Sequence, residues 1–98
     1  MAQVILAERA RGDLVRLFDF LAAEDPRAAS DAIEDILDAF VVLERHPLIG
    51  RPIEENMRAL MISRGKSGYV ALYDYYEATD TVLVLAVRHQ REAGFPAI

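Results

Sequence analysis

The sequence predicts an α+β domain of order β-α-α-β-β-β, with a helical hairpin packed on one face of a small antiparallel sheet. Three observations predict it. Apolar residues recur at helical spacing between Glu8 and Arg45, with an Asp-Pro break in the middle. Beyond Met57 the spacing changes to short β-branched and aromatic runs separated by brief turns. Between the two halves lies a loop punctuated by proline and glycine.

Taken in order, Gln3–Ala7 is a short apolar run expected to form a strand. A first helix follows over about Glu8–Glu24, with Ala10, Leu14, Leu17, Phe18, Leu21 and Ala22 on its apolar face. Gly12 in its second turn costs roughly 1 kcal/mol against alanine. Asp25-Pro26 starts a second helix, the carboxylate capping free N–H groups and proline suiting the first turn. Its stripe is Ala29, Ala32, Ile33, Ile36, Leu37, Phe40 and Val41, with Asp31, Glu34, Asp35 and Asp38 opposite as a solvated face. It ends near Arg45, because Pro47 disfavours helix at His46 and Gly50 follows. The two helices, joined by a very short link, make an antiparallel hairpin.

His46–Asn56 reads as a loop, and three strand-like runs follow it: Arg58–Arg64, Tyr69–Tyr76 and the stretch opening at Thr81. Gly65-Lys66-Ser67-Gly68 and Ala78-Thr79-Asp80 turn between them, giving a meander. Alternation divides each strand between two faces. Leu60 and Ile62 oppose Met57, Ala59 and Met61; Val70 and Leu72 oppose Ala71, Tyr73 and Tyr75; Val82, Val84 and Ala86 oppose Leu83, Leu85 and Val87. Both faces are apolar while helices exist for only one. The uncovered face is expected to carry an apolar, tyrosine-bearing patch for a partner, with Met61, Tyr73, Tyr75, Leu83 and Leu85 as candidate contacts. The alternative is a strongly coiled sheet that buries its own second face.

Ninety-eight residues suit one domain. There is no cysteine, which excludes disulfides and thiolate metal sites and fits a cytoplasmic protein. The N-terminus lacks the pattern of a signal peptide, and no apolar run approaches the roughly 20 residues of a membrane helix. The net charge is −5 and unevenly placed: ten acids face five bases between Glu8 and Arg45, and six face six from Arg51 onward. That balance argues against a general or sequence-specific nucleic-acid binder. With histidine only at positions 46 and 89, no spacing suggests a metal site, and there is no phosphate-binding glycine loop. No cofactor is expected.

The last strand carries six consecutive apolar residues, Val82–Val87, and breaks abruptly into Arg88, His89 and Arg91. A buried strand thus delivers a cationic cluster to its own end, which is either a site or a solvated terminus.

Pro47-Leu48-Ile49-Gly50-Arg51, then Met57-Arg58-Ala59-Leu60, then Tyr69-Val70-Ala71-Leu72-Tyr73, then the apolar run to His89 and Arg91 closely resemble the ParE/RelE toxin superfamily. Asp13-Leu14 and Asp25-Pro26 with Ala28-Ala29 resemble the same family's helical hairpin, so the likeness spans about Val4 to Arg91. The ending Arg88-His89-Gln90-Arg91 looks more like the ParE branch, the plasmid-stabilisation proteins, than the ribonuclease branch.

The resemblance implies the toxin of a type II toxin–antitoxin pair, held inactive by a ParD-like antitoxin that wraps across helices and sheet. The candidate contacts on the uncovered face would then bind the antitoxin. It further implies growth arrest by poisoning DNA gyrase, with Arg58, Arg64, Arg88, His89 and Arg91 as target-interaction candidates. The alternative is a RelE-like ribosome-dependent endoribonuclease. Its catalytic set would be Arg58, Arg64, His89 and Arg91, supplying acid–base groups and phosphate-gripping cations. Against it, this chain has Glu54 and Glu55 where the RNA-cutting members carry bases. Each candidate also has a structural reading: Arg58 bracing the loop at Glu54 or Glu55, Arg51 fastening it to the sheet, His89 hydrogen-bonded at a strand end.

Overall fold

In the computed structural model, which describes residues 1–64 and 67–90, two helices pack against one face of a five-stranded sheet. The elements are β1 (Gln3–Leu6), α1 (Glu8–Ala22), α2 (Pro26–Arg45), β2 (Arg51–Glu54), β3 (Met57–Arg64), β4 (Ser67–Tyr76) and β5 (Thr81–His89). The spatial order is β1-β5-β4-β3-β2. The expected fold class holds, with two differences. The sheet is mixed, because β1 returns through the helical hairpin to pair parallel with β5. The loop also contains a strand: β2 pairs antiparallel with β3 across the turn at Glu55–Asn56. Four residues containing a proline carry no period, and an edge position tolerates the missing N–H of Pro52.

The helices form where spacing and caps place them. Asp25 caps α2, its Oδ1 accepting from the N–H groups of Arg27 (3.0 Å) and Ala28 (3.3 Å). The main core lies between hairpin and sheet and joins Leu17, Ile36, Phe40 and Leu43 to Ile62, Tyr69, Tyr73, Val82, Val84 and Val87. A smaller cluster of Ala59, Val70 and Leu72, edged by Ile53, Met57 and Leu85, occupies the opposite face.

Simple alternation misplaces the end of β5. Leu72 pairs with Ala86 but Tyr73 pairs with Val84, so Leu85 is an extra residue in the ladder. Beyond such a bulge every side chain changes face. Val87, expected opposite Val82 and Val84, is fully buried with them instead, and Leu85 packs in the opposite cluster.

Beyond Val84, β1 no longer pairs with that edge of β5, and Asp13 of α1 takes its place. Asp13 is buried; its Oδ2 accepts from Val87 N–H at 2.9 Å and its Oδ1 pairs with Arg88 Nη1 at 2.6 Å. A charged acceptor thus satisfies a buried backbone donor and a guanidinium at once. Among the described residues no helix is long and apolar enough to cross a membrane.

Asp13→Ala removes both acceptors and leaves Arg88 uncompensated; urea unfolding is expected to show a loss of about 3 kcal/mol. Asp13→Asn is expected to lose less, since its amide oxygen still accepts from Val87 N–H. Equal stability of the alanine variant and the parent would refute this role.

Candidate interaction surfaces and the cationic strand end

The cations of the strand end are engaged with the fold where the structure describes them. Arg88 reaches α1 through its ion pair with Asp13. His89 pairs with Tyr69 across the sheet, and their rings meet edge-to-face at 5.5 Å and 88°. The bulge at Leu85 is what turns His89 toward Tyr69. Arg58 does brace the loop, but through carbonyls: its Nη1 donates to Leu48 O at 3.0 Å and Gly50 O at 2.8 Å. Arg91 and the turn residues Gly65 and Lys66 lie outside the described residues, as does the side chain of Arg64.

Arg58 and His89 are not neighbours. Arg58 shares a row of the sheet with Tyr73, and His89 shares one with Tyr69 and Ile62. Four residues along a strand separate the rows by about 13 Å. With its guanidinium on the Leu48 and Gly50 carbonyls, Arg58 does not converge with His89 on one point in this structure.

The five candidate partner contacts divide between the two faces. Met61 is 51% exposed on the face away from the helices, and Leu83 and Leu85 lie partly buried on that face. Tyr73 and Tyr75 belong to the helix side, which corrects the expected tyrosine-bearing patch. Tyr73 is fully buried and Tyr75 packs at the edge of the main core, its hydroxyl donating to Asp80 Oδ1 at 2.8 Å. Alternation had separated the faces correctly in β4 but could not say which one the helices cover.

A different apolar surface stands out on the hairpin. Phe18, Leu37 and Val41, expected in the core, are exposed, and Val15 (61%) lies beside Phe18. Val15, Phe18, Leu14 and Ile33 line a shallow apolar groove between the helices. The signal was present in the sequence: each helix carries more apolar residues than one stripe can bury.

Tyr73 anchors the loop between α2 and β2. Its hydroxyl accepts from Gly50 N–H at 2.9 Å and donates to Pro47 O at 2.8 Å. A Cβ on Gly50 would lie 2.6 Å from that oxygen and 3.0 Å from Ala59 O, so the close approach requires glycine. Burial pushes the Tyr73 phenol above 10.0, outweighing the opposing effects of the Gly50 hydrogen bond and the Arg58 charge. Hydrogen bonds to carboxylates raise two more: Asp80 acts on Tyr75 and Asp74 on Tyr76.

A family model described as the ParE toxin of the type II toxin–antitoxin system parDE matches residues 4–94. The chain is 40% identical over 92 residues to Toxin RelE3 of Caulobacter vibrioides, spanning 94% of this chain and 98% of that one. Among solved structures it resembles a chain of the RelBE2 toxin–antitoxin complex of Mycobacterium tuberculosis, with TM-score 0.61, 29% identity, and 91% and 98% of the two chains covered. It also shares its fold with a chain of the chromosomal ParDE system of P. aeruginosa, with TM-score 0.73, 22% identity, and 91% and 96% covered. A chain of the E. coli RelBE complex has the same fold, with TM-score 0.70, 17% identity, and 94% and 100% covered.

Tyr73→Phe strands Gly50 N–H and Pro47 O and is expected to cost about 1–3 kcal/mol in urea unfolding at neutral pH. A phenol whose folded pKa exceeds its unfolded value keeps the native state more protonated, so stability is full below pH 10.0 and falls above it. The phenylalanine variant is therefore expected to lose less stability than the parent as the pH rises above about 10. A parallel decline in both proteins would contradict the assignment.

Proposed function

Because this chain belongs to the ParE toxin family of type II toxin–antitoxin systems, we propose that a ParD-like antitoxin holds it inactive and that, once free, it arrests growth by poisoning DNA gyrase. The chain is the toxin component of such a system. The observation that carries the gyrase reading is the engagement of the described cations: Arg88 with Asp13, Arg58 with the carbonyls of Leu48 and Gly50. RNA cleavage needs cations and an acid–base pair converging on one phosphate, whereas an inhibitor needs only a surface that fits its target. The net charge of −5 also opposes docking onto RNA. On this reading the protein works in the cytoplasm, as a plasmid-stabilisation or chromosomal toxin.

The second reading is a RelE-like ribosome-dependent endoribonuclease. The name of the 40%-identical relative, Toxin RelE3, favours it.

A short pulse of the toxin without antitoxin in bacteria carrying a DNA-damage reporter separates the two. Gyrase poisoning is expected to switch the reporter on as growth stops. Growth arrest with a silent reporter and new messenger-RNA ends would replace the gyrase reading with the ribonuclease one.

The antitoxin is expected to cover the exposed apolar groove at Val15 and Phe18 and the open sheet face at Met61, Leu83 and Leu85. Val15→Glu, Met61→Glu and Leu83→Glu place a charge in such a contact, and each is expected to cut antitoxin co-purification by about tenfold or more. Full co-purification of all three folded variants would refute this placement.

A further inference from the structure

Leu48 and Ile49 are 57% and 53% exposed on the loop that joins α2 to β2, where burial does nothing to explain them. The backbone beneath them is nevertheless held by hydrogen bonds at several points. Pro47 O, Gly50 N and Gly50 O bond to Tyr73 and Arg58, Leu48 O bonds to Arg58, and Ile49 N–H donates to His46 O at 3.1 Å. A rigid loop presenting two aliphatic side chains to water is already organised for binding, because little conformational freedom remains to be lost. A groove of roughly 520 Å³ runs along it, lined by Arg45, His46, Pro47, Leu48 and Ile49.

Two basic residues bracket this loop in a chain that is acidic overall. Arg45 closes the last turn of α2 and Arg51 opens β2, both exposed, and no acid lies between them in a chain of net charge −5. We propose that this loop docks a polypeptide segment that carries aliphatic side chains beside aspartates or glutamates. The aliphatic side chains cover Leu48 and Ile49 while Arg45 and Arg51 pair with the carboxylates at the rim. The rest of the chain is net acidic and disfavours such a segment, so the two arginines bias where it lands as well as how fast it arrives. The proposal is independent of whether gyrase or messenger RNA is the toxin's target.

The test uses the isotope-labelled full chain and two synthetic helical peptides with identical leucine spacing, one flanked by glutamates and one by lysines. The glutamate peptide is expected to perturb the backbone amides of residues 45–51 and to bind about tenfold tighter than the lysine peptide, an advantage that shrinks as salt is added. Leu48→Ser/Ile49→Ser, at exposed positions that leave thermal unfolding unchanged, is expected to lose about tenfold in affinity. Arg45→Gln/Arg51→Gln is expected to remove most of the preference for glutamate. The proposal is overturned if neither peptide binds, if both bind equally, or if the perturbed amides centre on Val15, Phe18 and Leu37. It is also overturned if the unliganded chain self-associates through this loop and the serine variant abolishes that association, since the occupant would then be a second copy.

Discussion

The carboxylate of Asp13 holds the helical layer to the sheet at the point where β1 has run out of length. β1 covers the edge of β5 from Thr81 to Val84. Past that point the N–H of Val87 faces α1, in a place water cannot serve, and a helix offers no free backbone acceptor at mid-length. Asp13 supplies one from a side chain and uses its second oxygen to hold Arg88. A neutral acceptor would satisfy the strand but leave the guanidinium uncompensated. Val87 and Arg88 are thereby tied to the first helix, and with them the end of the strand that had looked like the best candidate for a cationic site.

Tyr73 does similar work from the opposite direction. It stands on a central strand, buried among the core residues, and its hydroxyl reaches out to hold the backbone of the α2–β2 loop. Arg58 completes the support. The Pro47-Leu48-Ile49-Gly50-Arg51 segment is therefore a loop whose shape is dictated from inside the sheet. Gly50 provides the close approach that makes the contact possible. What the loop shows to solvent is apolar and basic. Arg58 and Arg88 turn inward to structural acceptors, while apolar side chains of the hairpin and loop turn outward, as at surfaces that pack against another protein.

Much of the architecture was legible. The helical stripes, the Asp25-Pro26 start, the strand runs and the family likeness all rest on residues within a few positions of one another, where local sterics and hydrogen bonding act directly. The errors fell where one residue alters many. Leu85 reads as one more aliphatic in a run, yet as a bulge it exchanges the faces of everything after it, placing Val87 in the core and His89 against Tyr69. Phe18, Leu37 and Val41 fit the apolar stripe by spacing, but the core has room for only part of it.

By itself the sequence determined the two apolar faces of the sheet, the toxin family, and the order and kind of every element except the short edge strand β2, because each is written in spacing or in a linear motif. Only the tertiary structure decided which sheet face the helices cover, that Tyr73 and Tyr75 lie beneath them, and that Arg58 and Arg88 bind backbone and carboxylate within the fold. These are choices of partner between residues as distant in the chain as Asp13 and Arg88. They follow from where buried donors and acceptors find each other once the layers close, and no local pattern encodes that.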